Sequence, residues 1–371
     1  MSKKLIRLKP LNPFFFGTNK TFSDETLFDV TSSYFPQQTH LLGMLRMFIL
    51  QSEGKLKLRK RGRWVKKHEF KQAFSLVGGF DKYNLHQTQE SFGKIKSLSP
   101  VFLISTQDGA VEDFHFVAPK DVGLDVQSNP TKGILQVANK KREISYNIKN
   151  YDPKVGLVDA LTTSAFWSRY EAISLHDKQT ELSDSYLKSL DLLPFDSVFK
   201  EAKQIGIKRD RESKTVKENE DGSFYQKCSY MLDTEYEFAF WVEYDGEFKV
   251  SEAFVYMGAE RSTFRLSIEE YTPTLHALYP TMLMSNKEVA LSDIEIDNFN
   301  EIEFMINGDY VAHAHMKRIN HKHGKGTNNR TKSNQRAFIP KGSVIYFREA
   351  FNIEQFNSML GYNCFVTKKE Q

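Results

Sequence analysis

This chain of 371 residues has only two cysteines, Cys228 and Cys364. Two cannot make a disulfide framework or a cysteine-based metal site, and their scarcity fits a reducing compartment. Long apolar runs are also missing. Lys3 and Lys4 are followed by Arg7, Lys9 and Pro10, which interrupt a signal-peptide core, and no stretch is long enough to span a membrane. The expectation is a soluble cytoplasmic protein with no membrane partner. There is no Walker loop, no Gly-Xaa-Ser-Xaa-Gly elbow and no dinucleotide fingerprint, so no cofactor is expected.

Acidic residues are absent from two particular stretches. Gly54–His68 holds Lys55, Lys57, Arg59, Lys60, Arg61, Arg63, Lys66 and Lys67. Val311–Arg348 holds nine Lys or Arg, Lys317 and Arg318 among them, together with His313, His315, His321 and His323. Together they carry 17 of the 51 basic residues, leaving 34 against 47 acids elsewhere. The formal net charge of +4 therefore hides an acidic body with two concentrated basic segments. Attraction to a polyanion depends on local charge density, so this segregation points to phosphate binding.

A chain of this length accommodates two domains, and its 30 Phe and 16 Tyr supply cores for both. Alternation over Lys4–Lys9 predicts a short strand. A helix is predicted from Thr39, taken as its N-cap, with Leu41, Leu45, Phe48 and Ile49 on one face and Gly54 as its stop. Gly43 inside it costs about 1 kcal/mol relative to Ala, which points either to a close approach or to tolerated packing. Lys55–Arg59 alternates charge with Leu, Gly62 marks a bend and Arg63–Lys66 returns, so the first basic block reads as a β-hairpin carrying Trp64, with a disordered solvated loop as the alternative. Short strands are expected at 101–105, 114–118 and 134–137, and helices at 159–173 and from Ser183. From Phe224 the pattern is strongly β. Tyr236–Tyr244 and Phe248–Met257 flank Asp245-Gly246, the dipeptide of a tight hairpin. Further strands are expected at 303–312 and 337–347, and 320–335 reads as a loop.

Four histidines within eleven positions invite a metal reading, but seven Lys or Arg and no acid accompany them, which disfavours a divalent cation. His40, in the first turn of the first helix, is a candidate general base or acid for metal-free RNA cleavage, without a partner fixed by spacing. Asp293, Glu295 and Asp297 alternate with Ile294 and Ile296 and read as a solvated strand face. Lys208, Arg209 and Arg211 with Asp210 and Glu212 read as a phosphate grip or as a surface ion-pair cluster. In Met257-Gly258-Ala259-Glu260-Arg261, Gly258 permits close backbone approach and Arg261 offers a planar fork.

In their order along the chain these elements resemble the third-subunit family of the type III-B CRISPR Cmr effector, within the RAMP superfamily. Phe35-Pro36-Gln37-Gln38-Thr39-His40-Leu41-Leu42-Gly43-Met44-Leu45-Arg46 resembles that family's proline-rich entry into a helix with Gly and a terminal Arg. Phe116-Val117-Ala118-Pro119-Lys120-Asp121 is similar to its Pro-Ala-Pro-Xaa-Asp segment. Gly206–Arg211, followed by Gly222-Ser223-Phe224-Tyr225, resembles its Asp-Arg element and the strand after it. Gly258-Ala259-Glu260-Arg261 resembles its Gly-Gly-Glu-Xaa-Arg loop. Gln37 and Gln38 stand for prolines, Ala259 for a glycine, and Gly361-Tyr362-Asn363 for a Gly-aromatic-Gly turn, which Asn can preserve through a left-handed conformation.

The resemblance implies an α+β fold of two tandem ferredoxin-like (RRM-like) domains, at 1–200 with the basic hairpin inserted and at 201–371 with the basic, His-rich loop. It implies a non-catalytic subunit that binds the 5′ handle of the crRNA and pairs with the large polymerase-like signalling subunit and a backbone RAMP subunit, meeting target RNA indirectly. The RNA-binding residues expected are Arg46, Lys57, Arg59, Arg61, Arg63, Lys208, Arg209, Arg211, Gly258, Arg261, Lys317 and Arg318. The alternatives are a metal-free endoribonuclease on the same fold and the equivalent subunit of a type III-A complex.

Overall fold

The computed structural model describes residues 2–17, 28–55, 59–60, 63–64, 67–78, 92–122, 131–137, 140–146, 159–173, 188–207, 224–258, 260–270, 272, 280–282, 287–295, 302–307, 311–313, 316–318, 330–332, 336–347 and 360–368. The chain begins with β1 (Ser2–Pro10), β2 (Phe28–Thr31), α1 (Gln38–Ser52), β3 (Arg59–Lys60), β4 (Arg63–Trp64), α2 (Lys67–Val77), β5 (Ile95–Leu98), β6 (Phe102–Gln107) and β7 (Ala110–His115). It continues through β8 (Thr131–Val137), β9 (Lys140–Tyr146), β10 (Ala160–Thr162), α3 (Ser164–Ile173), β11 (Leu192–Pro194), the one-turn α4 (Phe195–Val198), β12 (Phe199–Ile207), β13 (Phe224–Leu232), β14 (Tyr236–Tyr244), β15 (Glu252–Met257) and β16 (Ser262–Glu270). Short strands complete it: β17 (Thr281–Met282), β18 (Lys287–Val289), β19 (Ile302–Ile306), β20 (Val311–His313), β21 (Met316–Arg318), β22 (Arg330–Lys332), β23 (Arg336–Phe338), β24 (Val344–Phe347) and β25 (Thr367–Lys368). This is an α+β fold, rich in strand.

Its centre is a seven-stranded sheet in the order β15–β16–β1–β14–β6–β7, with β5 also on β14. Strand β1 runs antiparallel to both β14 and β16, and its period-two pattern explains that central place. Ile6 and Leu8 face one side, where Leu41, Leu45, Phe48 and Ile49 of α1 close over them with Phe238, Phe240 and Phe264. Leu5 faces the other side, into a second core with Phe102, Phe114 and Trp241, covered by Phe166, Trp167 and Tyr170 of α3 and by Val289 and Val344. Each large side chain so buried contributes about 1.5–3 kcal/mol. Arg7, on the same face as Leu5, is buried and satisfied. It donates to Glu237 (2.9 Å), to the carbonyl of Gly109 (2.9 Å) and to Glu269. Asp121, fully buried, accepts from the hydroxyls of Tyr170 (2.7 Å) and Tyr346 (2.9 Å), which ties α3 to β24.

Several local expectations change in three dimensions. Asp245-Gly246 ends β14 but does not turn it back onto β15, because β1 and β16 lie between the two strands. The hairpin partner of β15 is β16. The N-cap of α1 is Gln37, in extended conformation, and not Thr39, which shares a hydrogen bond with Tyr362. Gly43 meets no close neighbour, since no described atom lies within 4 Å of the Cβ it lacks. Asp293 and Glu295 do not form a solvated face. Glu295 is buried, its N–H donates to the side chain of Asn363 (2.8 Å), and Asp293 accepts from the backbone N–H of Lys341 (3.1 Å). Helix α2 has no counterpart in the sequence reading, and the helix expected over 159–173 is the strand β10 followed by α3. No described helix is long and apolar enough to cross a membrane.

Candidate nucleic-acid interface

The β15–β16 hairpin closes at Met257 opposite Ser262, so residues 258–261 make its turn. Gly258 has φ +85° and Arg261 φ +59°, and the Arg261 N–H donates to the Gly258 carbonyl at 3.3 Å. A side chain at Gly258 has no room, because its Cβ would lie 2.4 Å from the carbonyl oxygen of Phe15. The close approach anticipated at this glycine is therefore made, on that side, by the chain itself. Phe15 also donates its N–H to the Ser262 hydroxyl (3.2 Å), which seats the turn on the 14–16 segment. Gly258→Ala is expected to lower thermal stability by about 1–3 kcal/mol, the usual cost of a strained backbone, with near-native secondary structure by circular dichroism. A melting temperature equal to wild type would show that Phe15 yields freely.

Lys227, on β13, completes the arrangement. Its ammonium pairs with Glu260 of the turn and lies 5.0 Å from the centroid of the Phe15 ring. Three residues before it, Phe224 pairs with Ile207, the last residue before Lys208. At about 3.4 Å per residue that pair lies about 10 Å along β13 from Lys227. Lys227 thus links the 258–261 turn to the β12–β13 pair that ends at Ile207 and Phe224. Lys208, Arg209 and Arg211 themselves lie outside the described residues. Arg261 is exposed, and among the described residues no carboxylate pairs with it. Lys227 escapes sequence reasoning because its neighbours Phe15 and Glu260 are far from it in the chain.

The first basic block is a hairpin, as its alternation predicts. Arg59 stands opposite Trp64 and Lys60 opposite Arg63. Lys57 and Arg61 lie outside the described residues. In the second basic segment Lys317 and Arg318 are on β21, where Arg318 pairs in register with Arg330 of β22. His313 is on β20 opposite Arg336, while His315, His321 and His323 lie outside the described residues. Arg46 belongs to a different setting. It is 5 % exposed, with its guanidinium 5.4 Å from the centroid of Phe92, which is a packing contact inside the α1 layer.

His40 does stand in the first turn of α1, its N–H donating to the Gln37 carbonyl at 2.9 Å. The two glutamines in the proline positions are accommodated differently. Gln38 is buried and clamps the C-terminal turn, donating its amide to the carbonyls of Ser99 (2.7 Å) and Leu360 (2.6 Å). That turn keeps its left-handed geometry, with Gly361 at φ +76° and Asn363 at φ +56°. Neither thiol is poised for nucleophilic chemistry, because burial pushes Cys228 up from its usual value and Cys364 up to about 12. Among the described residues no group of three or more His, Cys, Asp or Glu is placed to hold a metal ion.

By its sequence this α+β chain is a CRISPR-associated protein, for a family model of that description, Cas_Cmr3, matches residues 6–359. The chain belongs to the Cas_Cmr3 family, a subunit family of the type III-B Cmr effector. Among solved structures it is similar to a chain of the Type III-B Cmr-beta complex bound to cognate target RNA, at 14 % identity and a TM-score of 0.47, covering 93 % of this chain and 86 % of that one. The same complex bound to cognate target RNA and AMPPnP contains a chain similar at 14 % identity and a TM-score of 0.46, with the same coverage. A chain of the apo Cmr-beta complex is similar at 10 % identity and a TM-score of 0.29, covering 72 % of this chain and 97 % of that one. A comparison with curated proteins finds no match.

Proposed function

We propose that this chain is a non-catalytic, crRNA-binding subunit of a type III-B Cmr effector, which holds the 5′ handle of the guide and docks the large polymerase-like signalling subunit onto the backbone RAMP subunit. Target RNA is then met only through the complex. In this reading the chain comprises two ferredoxin-like units, 1–200 and 201–371, sharing strands in the central sheet. The observation that carries it is the Gly258–Arg261 turn, with Arg261 exposed and Lys227 of β13 paired to Glu260 beside it. The two basic hairpins support it. Lys60 stands in backbone register with Arg63 and Arg318 with Arg330, so each hairpin sets basic residues on paired strands, an arrangement that suits an anion. A phosphate backbone supplies that anion.

A guanidinium fork takes two phosphate oxygens at once, whereas lysine keeps the charge and loses the fork. Arg261→Lys is therefore expected to weaken binding to handle RNA measurably, and Arg330→Lys to leave it nearly unchanged. The measurement is a titration of the subunit, or of its complex with the large subunit, against handle RNA and a scrambled control. Equal behaviour of the two variants would reduce the site to diffuse electrostatics. The endonuclease reading has its own test in His40→Ala. Guide maturation and target cleavage by the whole complex are expected to continue at the wild-type rate, and loss of RNA cleavage by the purified chain on that single change would overturn the non-catalytic assignment.

A further inference from the structure

Phe254 and Tyr256 are each 64 % exposed, and both stand on β15, the edge strand of the central sheet. The alternate residues Ala253, Val255 and Met257 pack into the core beneath α1, so the two rings occupy the opposite face. That face is covered at its β14–β6–β7 end by the second core, but among the described residues the β15–β16 rim is open. Neither ring is needed to fill a core, and a large exposed ring on an edge strand is a feature proteins ordinarily avoid.

The neighbours of the rings are polar and ordered by register. Phe254 is opposite Arg265, and Arg265 is opposite Lys9 on the next strand, which makes a row of ring, guanidinium and ammonium across three strands. Tyr256 is opposite Thr263. Arg265 donates to Glu252 at 2.9 Å, but both side chains are more than half exposed, so that pair holds the guanidinium only weakly. Lys9 donates to the Thr234 carbonyl at 3.0 Å and lies 3.9 Å from Glu237, with its side chain partly exposed. Phe254 and Tyr256 are two residues apart, about 6.8 Å along the strand, which leaves each ring face room for its own base. Residue 258, where the Arg261 turn begins, follows immediately.

We propose that the open face of β15 and β16 is a stacking platform for single-stranded RNA, in which Phe254 and Tyr256 each receive an unpaired base of the strand leaving the Gly258–Arg261 turn, while Arg265 and Lys9 meet its phosphates. The proposal rests on the RNA reading of that turn and extends it. The polar surround of the two rings favours RNA over a protein partner. A stable protein interface needs about 800 Å² per side around an apolar centre. Here Arg265, its partner Glu252, Thr263 and Ser267 surround the rings with polar groups. Base stacking requires only ring faces with cations between them.

The test is a fluorescence titration of the full chain with a labelled oligoadenylate at several salt concentrations. It is paired with photocrosslinking of a 4-thiouridine oligouridylate, mapped by mass spectrometry. The Phe254→Leu/Tyr256→Leu double variant keeps apolar bulk but loses both π-faces. It is expected to bind about tenfold or more weaker per ring with an unchanged salt slope, and to fold like wild type. Tyr256→Phe is expected to bind normally, and crosslinks to fall on Phe254 and Tyr256. Wild-type affinity in the double variant overturns the platform, whatever Arg261 shows. Weakened binding in the double variant with no effect of Arg261→Lys would instead retain the platform and remove the turn. Unchanged RNA affinity with loss of a co-purifying subunit would make this face a protein interface and also overturn the proposal.

Discussion

Phe14→Ala is expected to be the most damaging single change outside the glycine turns, costing about 3–5 kcal/mol and moving the urea midpoint accordingly. Phe14 is fully buried, and its ring lies 4.7 Å from Phe16, 5.3 Å from Phe238, 6.3 Å from Phe264 and 6.5 Å from both Phe199 and Tyr230. Those partners belong to β12, β13, β14 and β16, so one ring joins the central sheet to the β12–β13 hairpin. Its backbone also bridges Tyr230 in both directions, with N–H···O distances of 2.8 and 3.1 Å. The loss reaches the candidate interface, because Phe15, the next residue, carries the carbonyl on which Gly258 rests. RNA binding through Arg261 is therefore expected to fall together with stability. Phe14→Leu, which keeps most of the volume, is expected to cost less than about 1.5 kcal/mol. An unchanged midpoint in Phe14→Ala would mean that the aromatic cluster is redundant.

The largest effect on binding is expected from removing the charge of the first hairpin. Replacing Lys57, Arg59, Arg61 and Arg63 together by Ala should flatten the salt dependence of RNA binding by about 0.7 per lost contact, up to about 2.8 in all. That change is worth about 600-fold in affinity between 1 M and 0.1 M salt. The backbone register Arg59–Trp64 and Lys60–Arg63 does not depend on the side chains removed, so the assembled complex is the right place to measure it. An identical slope in the quadruple variant would assign the hairpin to solvent. Sequence-specific discrimination between handle and scrambled RNA should survive the change, since phosphate contacts carry no base information.

Local pattern was read correctly wherever the cause is local. Alternation placed β1, and helical spacing with Gly54 as a stop placed α1. The left-handed turn at Asn363 followed from the side chain's own tolerance of that conformation. The failures share another cause. Asp245-Gly246 is a good turn dipeptide, but β1, more than two hundred residues earlier, takes the place beside β14. Acids alternating at 293 and 295 look solvated until the C-terminal turn around Asn363 packs against them. Gln38 looks like a lost proline until its amide is seen holding Ser99 and Leu360.

Sequence alone determined the α+β class, the acidic body with two basic segments, and the family, because composition, charge spacing and motif order are properties of the chain itself. Tertiary structure decided which of those charges act together. It buried Arg46 against Phe92, set Lys227 beside Glu260 and Phe15, and left Phe254 and Tyr256 open beside Arg265 and Lys9. The physical reason is that a strand's two faces and two edges are equivalent in sequence. Which of them meets a core, a neighbouring strand or solvent is set by partners contributed from distant parts of the chain.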